Sequence, residues 1–348
     1  MRSFAKINLG LRIGAARGDG FHELLTVYQT IGLRDLIRVS VGRGSGIEIR
    51  CEDPRVPKDE SNTCFRIVEK AMAALAARGR VVIEIEKKLP VQGGLGGASA
   101  NAVATLLGLE RALKKSLSQA ERLRLAAEVG SDLPLFLVGG TVLGVGRGEQ
   151  VYPLADLPAM ACVVVTPEVG VSTPRAFAEW DRRGLKPTSS SGADAALKGR
   201  SSTVAPELGE AKGFPKLTGA NPSDRMNELG RALSAWLSEP YSSAPAEVLR
   251  TRGRAENPLL GLVRAGIEND FEQVVFPEYP ELMEVKRALL RAGAKYASLS
   301  GSGSTLYGLF ASRETAAMAA DKLRGRGWAA KATTTLTRRA YWKRVVAG

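Results

Sequence analysis

The chain has 348 residues, 44% hydrophobic and 24% charged, which is enough for two domains with substantial cores and is the balance of a soluble globular protein. Its single histidine, His22, excludes a multi-histidine metal centre and makes a carboxylate the natural general base. The formal charge of +13 admits a polyanionic partner or phosphorylated substrates, but the basic residues are dispersed apart from Lys322, Arg324 and Arg326 and from Arg338, Arg339, Lys343 and Arg344, so no nucleic-acid partner is expected.

The first nine residues lack a signal-peptide core, and no apolar run is long enough to span a bilayer. Cys51, Cys64 and Cys162 have neither metal nor redox spacing. The expectation is a cytoplasmic protein with no membrane partner.

Residues 4–13 read as a strand. Ile7, Leu9, Leu11 and Ile13 alternate with Lys6, Asn8 and Arg12, which predicts one face in the core and one in water. Gly18-Asp19-Gly20 is a turn signal, and the following Phe21-His22 puts an aromatic face beside a hydrogen-bonding ring. A second apolar run passes through Tyr28, Ile31, Leu33 and Leu36. Residues 37–41 and 47–51 look like paired strands around a Gly/Ser turn, and residues 62–78 like a helix.

A strand over residues 81–86 then leads through Lys87 and Pro90 to Gly93-Gly94-Leu95-Gly96-Gly97-Ala98-Ser99, which opens a helix over residues 102–113. A glycine loop between strand and helix aims backbone N–H groups and the positive end of the helix dipole at an anion. Ser99 can cap that helix or contact a phosphate or its metal. By itself the loop reads equally as a turn with a serine cap.

Residues 118–129 form a helix opened by the capping box Ser118/Glu121. Asp132 follows, on a turn between Gly130 and Pro134. It is either a helix cap or a partly desolvated base. Residues 161–165 are a buried-strand candidate opening a second domain, so the expected division is 1–153 and 159–348. Thr173 starts a helix carrying Phe177 and Trp180. From 181 to 222 the chain turns rich in Ser, Gly, Pro and Lys, as a flexible insertion does. Helical spacing returns at 226–237, 259–267 and 281–292. A second small-residue loop, Ser300-Gly301-Ser302-Gly303-Ser304, precedes a strand over 305–310, a helix over 315–323 and a closing strand over 331–336. The fold class is α/β, with mixed sheets and helices and a ligand held between two halves.

Taken together, Ala5-Lys6-Ile7-Asn8-Leu9, Asp19-Gly20-Phe21-His22, residues 90–101, Gly130-Ser131-Asp132-Leu133-Pro134, Val171-Ser172-Thr173, Asn269-Asp270-Phe271-Glu272 and Leu299-Ser300-Gly301-Ser302-Gly303 resemble the GHMP kinase superfamily. The Asp-Gly-aromatic-His and Gly-Ser-Asp-x-Pro blocks resemble its branch acting on a cytidylyl alcohol in non-mevalonate isoprenoid synthesis. The resemblance implies the two-domain GHMP fold, with ATP and substrate in the cleft between the domains. It implies transfer from ATP to a 2-hydroxyl, with Mg²⁺ near Ser99, in a monomer or homodimer.

By the same resemblance, Lys6 and Asp132 are the catalytic pair. Gly93, Gly94, Leu95, Gly96, Gly97, Ala98 and Ser99 hold the nucleotide phosphates, with Pro90, Asn62 and Lys87 nearby. Asn8 and Thr173 are substrate-side residues. Phe21, His22 and Phe177 hold cytosine, with the base sandwiched between Phe21 and Phe177. Relatives carry Gly where this chain has Ala98, and a second Ser where it has Ala100. Ala98 fits only at negative φ, and Ala100 removes one possible ligand for phosphate or Mg²⁺. The alternatives are a homoserine- or mevalonate-type kinase of the same superfamily, or a non-catalytic nucleotide- or nucleic-acid-binding protein.

Overall fold

The first strand, β1 (Arg2–Ala16), is buried along nearly its whole length. The computed structural model describes residues 1–184 and 268–346, and β1 runs through the middle of them. Ala5, Ile7 and Leu9 face a core shared with Cys162, Val164, Tyr307 and Leu309 of the second half. Leu11 and Ile13 enter a core built almost wholly from that half. The polar face expected in water is buried too, with Lys6 and Asn8 both enclosed. Alternation marked the two faces correctly, but it cannot distinguish a wet face from one covered by distant chain.

A hairpin turn joins β1 to β2 (His22–Gly42), and the antiparallel register runs from Arg2 opposite Leu36 to Ala16 opposite His22. Register shifts fall between Phe4 and Lys6 and between Asn8 and Gly10, so Lys6 and Asn8 lie between two irregularities that re-aim side chains. β2 also pairs with β4 (Arg80–Glu86) and β5 (Thr141–Val145). With β3 (Ile47–Cys51) and β6 (Gln150–Pro153) they make a six-stranded sheet in the order β3-β4-β2-β5-β6, with β1 on β2.

The hairpin expected between residues 37–41 and 47–51 does not form. β3 pairs in parallel with β4, which lies between it and β2. The crossover is α1 (Thr63–Ala74), and a parallel pair needs such a helix where a hairpin needs only a turn. The other helices of this half are α2 (Gly97–Leu113), α3 (Gln119–Val129) and the short α4 (Leu133–Val138).

The second sheet has the order β10-β7-β9-β8, antiparallel throughout. Its strands are β7 (Ala161–Val165), β8 (Tyr296–Leu299), β9 (Leu306–Phe310) and β10 (Ala330–Thr334). Among the described residues its helices are α5 (Thr173–Arg182), α6 (Glu272–Glu278), α7 (Pro280–Arg291) and α8 (Arg313–Arg324). The insertion expected over 181–222 starts later than that, because Asp181 and Arg182 still belong to α5; its remainder from 185 on, and the helices expected at 226–237 and 259–267, lie outside the described residues. Among the described residues no helix is long and apolar enough to cross a membrane.

Besides the shared core, two polar features help bind the halves. Arg12 and Asp270 form a buried ion pair at 2.6 Å, and Asp270 also accepts the Ile13 N–H at 2.9 Å. The last helix, α9 (Arg338–Val346), was not anticipated, and it returns to the first half. The Tyr341 hydroxyl donates to the Phe136 carbonyl at 2.7 Å and the Trp342 indole to that of Val138 at 3.0 Å. Arg338, one of the clustered basic residues, donates to the Thr141 and Leu154 carbonyls and so serves the fold.

Tyr341→Ala should lower the unfolding free energy by about 3–5 kcal/mol, as loss of a buried ring does. Tyr341→Phe keeps the ring, leaves the Phe136 carbonyl without its donor, and should lose about 1–3 kcal/mol. Urea unfolding reads both, and two losses below about 0.5 kcal/mol, the size of ordinary surface effects, would mean that α9 does not belong to the folded core.

Candidate functional site

The glycine loop starts where β4 ends. Gly94 and Gly96 have φ of +76° and +67°, a region that L side chains rarely adopt. A Cβ on Gly94 would overlap the carbonyls of Ser300 and Gly303, and one on Gly96 would meet Lys6 and Phe136. Glycine is therefore required here by close approach as well as by φ. The Ser300 hydroxyl donates to the Gly94 carbonyl at 3.0 Å, and the Lys6 N–H donates to the Leu95 carbonyl at 3.0 Å. The two small-residue loops, far apart in sequence, thus meet over Lys6.

Gly96 is the N-cap of α2, and the first helical bond runs from Ala100 N–H to Gly96. The N–H groups of Gly97, Ala98 and Ser99 precede that bond, no acidic residue occupies the first turn, and the helix end is suited to an anion. Ser99 lies inside α2 and makes no cap, contrary to one of its two expected roles. Ala98 has no positive φ, so its methyl group is unstrained. Ala100 is buried in the core of the first half, so a hydroxyl there would face away from the loop.

A cleft of about 340 Å³ opens in front of this helix end. Asn62, Lys87, Pro90 and every residue from Gly93 to Ser99 line it, so the expected nucleotide group comes together. Two members are already engaged. Asn62 caps α1 by accepting the Cys64 N–H at 2.9 Å and donates to the Pro57 carbonyl at 2.6 Å. Lys87 pairs at 2.7 Å with Asp35, whose side chain is 0% exposed. Asp35 also accepts the N–H groups of Lys88 and Leu89, each at 2.7 Å, and the Asn101 amide at 3.0 Å. Sequence reasoning missed Asp35, although an aspartate within a strongly apolar strand was a signal.

Lys6, Asn8 and Asp132 meet on the other side of the loop. Lys6 Nζ donates to Asn8 Oδ1 at 2.6 Å and lies 3.5 Å from Asp132 Oδ2. Burial lowers the Lys6 pKa from its ordinary value, and Asp132 opposes that shift. Asp132 occupies the N-cap position of α4 but makes no capping bond, and its side chain is 33% exposed. It accepts the Tyr28 hydroxyl at 3.0 Å. Burial, then the Asp132 charge, raises the Tyr28 phenol well above its usual range, so it stays a donor. Asn8 is held by Thr26 at 2.8 Å. Sequence reasoning placed Tyr28 only in an apolar run and did not single out Thr26.

The second loop is fixed from below. The Asn269 amide donates to the Leu299 carbonyl at 2.9 Å and the Gly301 carbonyl at 2.7 Å. Thr173 bonds Ser302 hydroxyl to hydroxyl at 2.6 Å.

The aromatic group is only partly as expected. His22 stacks on Phe177 with centroids 5.0 Å apart and planes 13° from parallel, and its Nε2 is 2.8 Å from Asp181. Phe177 also rests on the edge of Phe271. Phe21 turns outward, 49% exposed, with Arg147 over its ring at 4.9 Å. The face of Phe177 is thus occupied by His22, and the Phe21–Phe177 sandwich is not the arrangement present.

Among the described residues no group of three or more His, Cys, Asp or Glu side chains is placed to hold a metal ion. The hydroxyls of Ser61, Thr63 and Ser99 line the cleft, but Ser61 already donates to Asp59 and Thr63 to the Ala98 carbonyl, which leaves Ser99 and, across Lys6, the Asp132 carboxylate as the less committed oxygen donors.

The GHMP kinases N terminal domain family matches residues 62–140, and the GHMP kinases C terminal family matches residues 256–328. A 4-diphosphocytidyl-2-C-methyl-D-erythritol kinase of Solibacter usitatus (strain Ellin6076) is 35% identical over 315 residues, covering 90% of this chain and 81% of its own. One from Synechococcus sp. (strain JA-2-3B'a(2-13)) is 34% identical, covering 92% and 88%. A crystal structure of a 4-(cytidine 5'-diphospho)-2C-methyl-D-erythritol kinase superposes with a TM-score of 0.65 at 27% identity, covering 96% of this chain and 98% of that one.

Asp35→Asn should strand the Lys87 ammonium without its counter-charge and destabilise the protein by about 3–5 kcal/mol. Lys87→Met in the same background should restore part of that loss. If chemical denaturation finds the double variant no more stable than Asp35→Asn, the pair does not anchor this wall of the cleft.

Proposed function

The chain belongs to the 4-diphosphocytidyl-2-C-methyl-D-erythritol kinase family of the GHMP kinases, and we propose that Lys6 and Asp132 carry its phosphoryl transfer. The enzyme transfers a phosphoryl group from ATP to its cytidylyl substrate in the non-mevalonate route to isoprenoid precursors, and the accepting group is the 2-hydroxyl. The observation that supports the catalytic assignment best is the placement of Lys6 Nζ 3.5 Å from a half-exposed Asp132, directly behind the glycine loop.

Phosphoryl transfer asks for in-line positioning and for neutralisation of charge on the transferred group. The Asp132 carboxylate takes the proton from the attacking hydroxyl. Tyr28 and Lys6 orient that carboxylate, and Lys6 shares its charge with the incoming phosphoryl oxygens. Asn8 keeps the ammonium aimed and lies on the substrate side. The N–H groups at the start of α2 hold the nucleotide phosphates, and Lys87, neutralised by Asp35, serves the nucleotide as a hydrogen-bond donor more than as a net charge. Thr173 braces the second loop at the substrate edge, and Phe21, His22 and Phe177 form the cytosine cluster.

Few protein oxygens are available to Mg²⁺. The donor set therefore fits an ion held mainly by phosphate oxygens, with Ser99 as its protein contact. When bound, the ion supplies charge neutralisation on the phosphates.

Asp132→Asn should lower kcat by roughly 10²–10⁴-fold with the fold intact; retention of nearly full kcat removes Asp132 as the base. Lys6→Met should reduce kcat more than it raises the KM for ATP, and a pure KM effect would make Lys6 a binding residue. Because burial lowers the Lys6 pKa and its charged form is the active one, kcat should fall on the alkaline side earlier than an ordinary lysine would dictate. Lys6→Arg should push that limb upward if the variant is active. Coupled ADP release with 4-diphosphocytidyl-2-C-methyl-D-erythritol, homoserine and mevalonate tests the substrate, and turnover of either other alcohol in its place would overturn the assignment.

A further inference from the structure

We infer that Arg147 binds the diphosphate of the cytidylyl substrate, an inference that rests on the substrate class proposed above. That substrate has a base at one end, an acceptor alcohol at the other and a diphosphate between them. Its two ends map onto two places along β2. The aromatic cluster lies at His22, where the strand begins, and Tyr28, which holds Asp132, lies six residues on. At the usual strand rise the separation along β2 is about 20 Å. A base or a small alcohol alone does not cover that span, and the diphosphate has to cross it.

The turn between β5 and β6, extended by the Arg147 side chain, reaches from one of these places toward the other. Gly146 accepts the Leu24 N–H at 2.6 Å, near the aromatic end. A side chain on Gly148 would run into the Tyr28 hydroxyl and stand 4.0 Å from Asp132 Oδ1, at the catalytic end. Arg147 sits between these two anchors with its guanidinium over Phe21.

The chemistry of Arg147 fits the role. Its own N–H is taken by Glu149 Oε2 at 2.6 Å, but its guanidinium stands 3.8 Å from Glu149 Oε1, beyond hydrogen-bond reach. Among the described residues the guanidinium makes no hydrogen bond. The neighbouring cations are engaged. Lys6 is held by Asn8 and Asp132, and Arg17 by Asp19 and Glu23. A guanidinium offers paired donors that match phosphate oxygens. Stacking on Phe21 and the long ion pair with Glu149 account for where the side chain rests, but both contacts are weak and leave the donors without a hydrogen bond. A phosphate group uses the donors, and the stack pre-orients them beside the base.

The test is steady-state kinetics on the full-length enzyme with Arg147→Met and Arg147→Lys. Losing charge-assisted hydrogen bonds should raise the KM for 4-diphosphocytidyl-2-C-methyl-D-erythritol about 10–100-fold in Arg147→Met. The KM for ATP and the melting temperature should stay close to wild type, and Arg147→Lys should recover part of the loss. A second readout separates diphosphate binding from packing. CDP should inhibit the wild type better than cytidine does, and that preference should collapse in Arg147→Met while cytidine inhibition is retained. A folded Arg147→Met enzyme with substrate KM and CDP-to-cytidine preference within twofold of wild type overturns the inference. A wild-type enzyme indifferent to both the cytidylyl substrate and CDP would bring down the substrate assignment, and this inference with it.

Discussion

A lysine ammonium taken almost entirely out of water dominates the design of this protein. Lys6 is 4% exposed, and burial of that kind disfavours its charge unless partners are supplied on the spot. They come from three separate stretches. Asn8 is on the same strand, Asp132 opens a short helix, and Tyr28 on the paired strand holds the carboxylate. The irregularities flanking Lys6 and Asn8 re-aim β1 at that spot, and the glycines at 94 and 96 let the loops close over the lysine. The left-handed backbone at Gly94 and Gly96 and the polar interior of β1 therefore both serve to shelter one charge.

Charge elsewhere in the interior is neutralised locally. Asp35 answers Lys87, Asp270 answers Arg12, and Glu272 answers Lys286 while also accepting from Ser298 and the Leu299 N–H. The pairs tie β2 to the segment after β4, β1 to the segment before α6, and α6 to α7. Breaking a buried pair on one side leaves an uncompensated charge, so these contacts fix position as much as they add stability. The net charge of +13 thus says little about the site, because the cations nearest the cleft already have counter-ions.

How much was legible in the sequence depended on range. The glycine loop, the strand before it and the helix after it follow from local chemistry, and all three are present, although the helix starts at Gly97 instead of residue 102 and so absorbs the end of the expected loop. Lys6, Asn8 and Asp132 stood out through motif and resemblance, and the fold brings them together. Contacts between distant segments were not visible. Residues 37–41 and 47–51 looked like a hairpin because the turn between them is genuine, yet β4 lies between them after a helical crossover. Asp35 was hidden because its partners lie 52 to 66 residues away. Phe21 and Phe177 were expected to face each other across a base, and no local signal told that His22 would take the face of Phe177.

The return of α9 to the first half bears on how the chain is made. The carbonyls of Phe136 and Val138 and the surface at Gly139 are completed only by Tyr341 and Trp342, and the Phe136 partner lies 205 residues further along. During vectorial synthesis the first sheet and its helices leave the ribosome well before that cover exists. An apolar seam beside α4 then stays open while the second half is translated, which is when a chaperone or a neighbouring nascent chain can reach it. Closure of the first half is therefore a late step of biosynthesis, although its residues are among the first made.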